Sequence, residues 1–186
     1  PLDAYYTPDR LAQAIVAELP IRPGDRILEP HAGGGAFVRA LVEQHPDAFI
    51  LATDLDSEAP GLQLDGVLWS SQRDFLQCQP RGGLSWIVGN PPYSQAGQHI
   101  RHALSLAPNV VFLLRLAFVE SKRRIPFWAE HPARHIWMLA ERPSFTGGGT
   151  DSAAYAAIWW DRDHSGPTTC QPGWSWRTPL IPGEQS

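Results

Sequence analysis

Arg26-Ile27-Leu28-Glu29-Pro30-His31-Ala32-Gly33-Gly34-Gly35-Ala36-Phe37 is the stretch on which the fold turns. Arg26 to Glu29 reads as a short buried strand and Pro30 to Gly35 as a glycine-rich loop. Ala36 to Gln44 reads as a helix with Phe37, Ala40 and Leu41 facing inward. Small residues let a backbone approach a ligand closely, and the helix start offers N–H groups that no turn of the helix uses. In a dinucleotide site those groups meet a pyrophosphate. Here the strand ends in Glu29, whose carboxylate repels phosphate and suits a cationic ligand such as the amino group of a methionine moiety.

Working outward, Thr7-Pro8 reads as a threonine cap with proline at the first helical position, followed by Leu11, Ile15 and Leu19 at helical spacing. Downstream, Ala48 to Thr53 is a second strand ending at Asp54-Leu55-Asp56, and Gly66 to Trp69 is a candidate third. Leu84 to Gly89 is a strand that runs into Asn90-Pro91-Pro92-Tyr93. A helix from Gln95 to Ala107 and a strand from Val110 to Leu114 follow. Ala117 to Glu130 is partly helical, with Pro126 expected to break or kink it. His135 to Ala140 and Ala153 to Trp160 are the last two strands, joined by a polar, Gly-rich loop from Thr146 to Thr150 that is a candidate lid.

Strands alternating with helices imply an α/β domain with a mostly parallel, doubly wound sheet. The last two strands lack room for a crossover helix, so they form a terminal antiparallel hairpin. The domain spans residues 1–161, and residues 162–186 read as an irregular tail packed through Trp174 and Trp176. A parallel sheet with that ending points to the methyltransferase variant of the Rossmann-like architecture.

Composition limits the choices. The 186 residues suit one domain with one sizeable core. No signal peptide and no membrane-length apolar run is evident, so a cytoplasmic protein without membrane contact is expected. Cys78 and Cys170 have no metal-type spacing, so no metal site is expected. The net charge of −4 runs against a strong stand-alone phosphate binder. Charge can be local, however, and Lys122-Arg123-Arg124 is a basic cluster that either touches nucleic acid or forms a solvated helix face.

Three acids end or follow successive strands. Beside Glu29, Asp54 stands where an acid accepts from ribose hydroxyls, and Asp74-Phe75 where an acid and a ring receive an adenine. Asn90-Pro91-Pro92-Tyr93 carries the chemistry. The exocyclic amine of adenine is a poor nucleophile, because its lone pair is delocalised into the ring. Two acceptors on its N–H bonds localise that pair. The Asn90 side-chain oxygen and the Pro91 carbonyl are such acceptors, the prolines stiffen the loop, and Tyr93 offers a stacking face.

Tyr5-Tyr6-Thr7-Pro8, the loop from Glu29 to Phe37 and Asn90-Pro91-Pro92-Tyr93 together resemble motifs X, I and IV of the gamma-class N6-adenine DNA methyltransferases. The likeness covers roughly the whole chain, and the last tetrapeptide is its most specific part. It implies S-adenosylmethionine as cofactor, contacted by Tyr6, Thr7, Pro8, Glu29, His31, Ala32, Gly33, Gly35, Asp54, Leu55, Asp74, Phe75 and Asn90. It implies catalysis by Asn90, Pro91, Pro92 and Tyr93, with the flipped base held by Tyr93 and Phe145. A core role for Phe145 is an equal alternative. His31 stands where the family has a small residue, and only a short tail follows the last strand where the family carries a target-recognition domain. The substrate is then DNA read with low specificity or as a single strand, DNA read through a specificity partner or a homodimer, or an RNA or protein amide instead. A non-catalytic subunit that binds S-adenosylmethionine is the competing class.

Overall fold

Ile27 and Leu28 in β1 (Arg26–Glu29) and Ile87 and Val88 in β4 (Trp86–Gly89) are all fully buried. Apolar side chains buried on both faces of a strand mark the inside of a parallel sheet covered on both sides. The computed structural model, which describes residues 6–145 and 152–177, shows that arrangement. Its sheet has the order β3-β2-β1-β4-β5-β7-β6-β8. The other strands are β2 (Phe49–Asp54), β3 (Val67–Gln72), β5 (Asn109–Arg115), β6 (His135–Leu139), β7 (Tyr155–Asp161) and β8 (Thr169–Trp174).

Helices α1 (Asp9–Ala17) and α2 (Ala36–Gln44) cover one face through Leu11, Ile15, Phe37 and Leu41. Helix α3 (Ala96–Leu106) and the short α4 (Ala117–Glu120) and α5 (Ile125–Glu130) cover the other through Ile100, Ala103, Phe118 and Phe127. β7 is inserted between β5 and β6 and runs antiparallel to both, so the expected antiparallel ending is present. The sheet order reverses between β1 and β4, which opens a crevice at the carboxyl ends of those strands.

Four local expectations need correction. Thr7 does not cap α1: Pro8 is the cap residue, no side-chain cap bond forms, and the Pro8 carbonyl accepts from Leu11 and Ala12 N–H. The third strand is Val67–Gln72, longer than the stretch ending at Trp69, because its polar second half still pairs with β2. Pro126 starts α5 rather than breaking a longer helix, since a proline in the first turn gives up no hydrogen bond the helix needs. The tail is not irregular throughout: β8 pairs in parallel with β6 as an edge strand. Pro172 and the positive-φ Gly173 hid it, and an edge strand tolerates both. Trp174 and Trp176 are buried as expected, their indole N–H groups donating to Glu18 and to the Glu141 carbonyl. The loop Thr146 to Thr150 with Asp151, like Tyr5, lies outside the described residues.

Candidate active site

Each functional loop leaves the carboxyl end of a parallel strand, so their side chains converge on the crevice. A cavity of about 480 Å³ lies there. Pro30, His31 and Gly33 after β1 line it, with Asp54 and Leu55 after β2 and Asp74 and Phe75 after β3. Asn90, Pro91, Pro92 and Tyr93 after β4 close its far side. The cavity therefore joins the residues read as cofactor ligands to the tetrapeptide read as the reactive loop.

The carboxylates are held before any ligand arrives. Glu29 is 1% exposed, and its Oε1 accepts from His31 N–H at 2.8 Å. Burial pushes its pKa up to about 8, against the lowering effect of that hydrogen bond, with the Asp54 charge raising it further. An ideal Cβ on Gly89 would lie 2.3 Å from Glu29 Oε1, so the glycine before Asn90 makes room for this acid. Asp54 accepts from Gly33 N–H at 2.8 Å and from Asp56 N–H at 2.9 Å. Asp74 caps the 3₁₀ turn Phe75–Gln77 by accepting from Leu76 N–H at 3.0 Å. A carboxylate has about four acceptor positions, so each of these acids keeps capacity for a ligand.

The Gly-rich loop adds a second, narrow space of about 30 Å³ between Tyr6, Thr7, Glu29, Ala32, the three glycines Gly33 to Gly35 and Asn90. The Tyr6 ring lies against Gly34, where an added Cβ would come within 3.1 Å of it. Tyr6 is 51% exposed, so its ring can move aside without disturbing the core. Gly35 adopts φ 87°, a left-handed conformation that favours glycine and lets the chain turn into α2.

Asn90 Nδ2 donates to Thr7 Oγ1 at 3.2 Å. This bond ties the segment before α1 to the loop after β4 and aims the amide, a role for Thr7 that replaces helix capping. Tyr93 packs beside Tyr155, with ring centroids 5.7 Å apart, and the Arg115 guanidinium lies 5.2 Å over the Tyr93 ring.

Two expected residues line neither space. Pro8 is the cap of α1. Phe145 is 7% exposed and packs on Tyr155 with ring centroids 5.0 Å apart, surroundings that suit the core alternative. Conversely, the sequence reading missed Ala59, Arg73, Ser94 and His99, which also line the large cavity. His99 is 4% exposed, and its Nδ1 meets His31 Nε2 at 2.7 Å. Burial holds the pKa of His99 down to about 4 and that of His31 well below its ordinary value, so the pair is uncharged at neutral pH. The bulky His31 side chain thus turns toward α3, where Phe75 meets its ring edge-on at 5.4 Å. A histidine in the middle of an amphipathic helix carries no local signal that it will face a ligand.

The described residues contain no cluster of three or more metal-ligating side chains, and no described helix is long and apolar enough to cross a membrane.

The fold is the Rossmann-like fold of S-adenosylmethionine-dependent methyltransferases. In sequence, the chain is 26% identical over 156 residues to the Type II methyltransferase M.TthHB8I of Thermus thermophilus, covering 82% of this chain and 34% of that protein. It is 31% identical over 102 residues to the Type II methyltransferase M.XamI of Xanthomonas campestris pv. amaranthicola, covering 48% of this chain and 19% of that one. The chain therefore spans about a third or less of the length of these relatives. Among solved structures, the 23S rRNA methyltransferase ErmE superposes with a TM-score of 0.66 at 18% identity, over 87% of this chain and 71% of that one. No family model matches the chain. Methyl transfer is the activity that the names of these relatives and of this neighbour state.

Proposed function

We propose that the protein transfers a methyl group from S-adenosylmethionine to N6 of adenine in DNA, with the target base flipped into the pocket formed by Asn90, Pro91, Pro92 and Tyr93. The observation that carries this reading is one cavity lined both by Gly33, Asp54, Asp74 and Phe75, read as cofactor residues, and by that tetrapeptide, with Asn90 aimed by Thr7. The Type II methyltransferase relatives favour DNA among the possible substrates.

In this reading S-adenosylmethionine supplies an electrophilic methyl on a sulfonium. Glu29 receives the methionine ammonium, Gly33 to Gly35 and Ala32 admit the methionine end, and Tyr6 covers it while Thr7 aims Asn90. Asp54 and Leu55 take the ribose edge, and Asp74 and Phe75 the adenine. The neutral His31–His99 pair supports Phe75 without bringing a second charge to the ring. On the other side, the Asn90 amide oxygen and the Pro91 carbonyl accept the two N–H bonds of the target amine. That directs the nitrogen lone pair out of conjugation and toward the methyl group, while Tyr93 stacks on the base. The amine is neutral when it attacks, so no strong base is needed first. As the N–C bond formed, the S–C bond of the sulfonium would break to leave a neutral thioether, and the extra proton on the nitrogen would then pass to water.

The test is transfer from labelled S-adenosylmethionine to double-stranded DNA, single-stranded DNA, RNA and a cell protein extract, followed by nucleoside analysis. N6-methyladenine in DNA is the expected product. Label confined to RNA or protein replaces the substrate, and cofactor binding without transfer to any of the four overturns the enzymatic reading.

A further inference from the structure

A second cavity, of about 300 Å³, adjoins the first and shares Tyr93 and Ser94 with it. Its remaining wall includes Ala96, Arg115, Phe118 and Arg124, and no carboxylate is among its lining residues. Arg124 is half-buried. Its Nη1 donates to the Phe118 carbonyl at 2.8 Å, and its guanidinium lies 3.7 Å over the Phe118 ring. No acid lies within ion-pair distance of Arg124 among the described residues. Its neighbours on the same 3₁₀ turn, Lys122 and Arg123, are exposed. The basic cluster is therefore split: two cations face solvent, and the third is folded into a cavity beside the reactive loop. A guanidinium fixed on a ring and a carbonyl, yet without an acid, is poised for an anionic ligand. Its planar fork matches a phosphate oxygen pair. Burial works against the Arg124 charge, and an anion in the cavity would relieve that penalty.

We propose that this cavity binds the phosphodiester of the nucleic-acid strand next to the flipped adenine, with Arg124 as the phosphate ligand and Arg115 beside it over Tyr93. The inference rests on the adenine reading above and deepens it, because a phosphate site beside Tyr93 selects a nucleotide chain over a protein amide. A base drawn out of a stack carries its own flanking phosphates along, so a cation at the pocket mouth holds the extruded nucleotide in place. The first residue of α3, Ala96, lines the same cavity, and the partial positive charge of that helix start adds to the field.

The experiment uses single-stranded oligonucleotides with one adenine, in which either flanking linkage is replaced by an uncharged methylphosphonate. We would measure kcat/KM for methyl transfer and, separately, oligonucleotide affinity with S-adenosylhomocysteine present. Neutralising one of the two flanking linkages is expected to lower kcat/KM of the unaltered protein by about 10-fold or more. Arg124→Gln is expected to lose as much on the all-phosphate strand, lose nothing further on the neutral one, and keep its cofactor affinity. Arg124→Lys should recover part of the loss. Indifference of the unaltered protein to both linkages would overturn the proposal, as would equal losses from neutralisation with and without Arg124. Should Arg124→Gln fail to fold, the linkage comparison on the unaltered protein still decides. No transfer by the unaltered protein to any adenine strand would instead overturn the adenine reading and this inference with it.

Discussion

The two sides of the crevice are built by different means. On the cofactor side, every acid is held by backbone: Glu29 by His31 N–H, Asp54 by Gly33 and Asp56 N–H, Asp74 by Leu76 N–H. On the target side, beside the Asn90–Thr7 bond and the Arg124 donation to the Phe118 carbonyl, side chains rest on one another: Tyr93 on Tyr155, Arg115 over Tyr93, Arg124 over Phe118. Backbone donors cannot move without unmaking a turn, whereas rings and guanidinium groups repack by changing rotamer. The difference teaches that the side of Glu29, Asp54 and Asp74 is held in place by turns, and that, in the proposed function, the side of Asn90 to Tyr93 is where an incoming base would rearrange the site.

That contrast can be broken most directly at Asn90. Asn90→Ala should lower the rate of methyl transfer by about 10²–10³-fold, in the range seen when one preorganised polar group is removed. Its cofactor affinity by calorimetry should stay nearly unchanged. A matching loss of cofactor binding would show that the two halves are not separable.

Next in size is the pH dependence set by Glu29. With its pKa raised to about 8, the empty site keeps the carboxyl protonated below that value, whereas a bound ammonium favours the carboxylate. Binding therefore releases a proton, and affinity for S-adenosylmethionine should rise toward pH 8 by up to about tenfold per pH unit. For the empty protein the sign is opposite. An unfolded Glu29 ionises near 4.5 while the folded one holds its proton, so folding stability falls as pH rises from about 4.5 to about 8. Melting curves across that range, with Glu29→Gln as reference, check this. A variant that keeps the full pH slope would assign it to other groups.

Gly89→Ala tests the junction between the halves. Its methyl must push the Glu29 carboxylate aside, since an ideal Cβ would lie 2.3 Å from Oε1. Cofactor affinity should weaken by about 10-fold or more, as expected when one partner of a buried charge pair is displaced. Unchanged affinity would mean that Glu29 does not hold the cofactor.

The smallest effect is expected at Thr7. Thr7→Val removes the acceptor for Asn90 Nδ2, and a single neutral hydrogen bond corresponds to about 2- to 10-fold. The loss should fall on kcat rather than on cofactor affinity. A loss confined to cofactor affinity would make Thr7 part of the side of Glu29, Asp54 and Asp74 instead.

Much of this arrangement was legible locally. Glu29, Asp54 and Asp74 each sit next to a strand end, and a doubly wound sheet brings strand ends together whatever the details of packing. Asn90-Pro91-Pro92-Tyr93, on which the proposed chemistry rests, is four consecutive residues. The errors and the open choice arose where a residue's neighbours are distant in sequence. Thr7 reads as a cap by local rules, but its hydroxyl finds Asn90, 83 positions away. Phe145 reads equally as a base-stacking ring and as a core residue, and only the packing shows it buried against Tyr155. β8 carries Pro172 and Gly173, which argue against a strand until an edge position beside β6 makes them harmless.

The sequence by itself determined the class of fold, the acids at the strand ends and the Asn-Pro-Pro-Tyr loop after β4, because periodicity, turn chemistry and short motifs are properties of contiguous residues. Only the tertiary structure decided that Gly89 makes space for Glu29, that His99 joins His31, and that Arg124 alone of its cluster turns inward. Each of those depends on which side chains packing brings within a few ångströms, and burial then sets their charge. No local pattern encodes that.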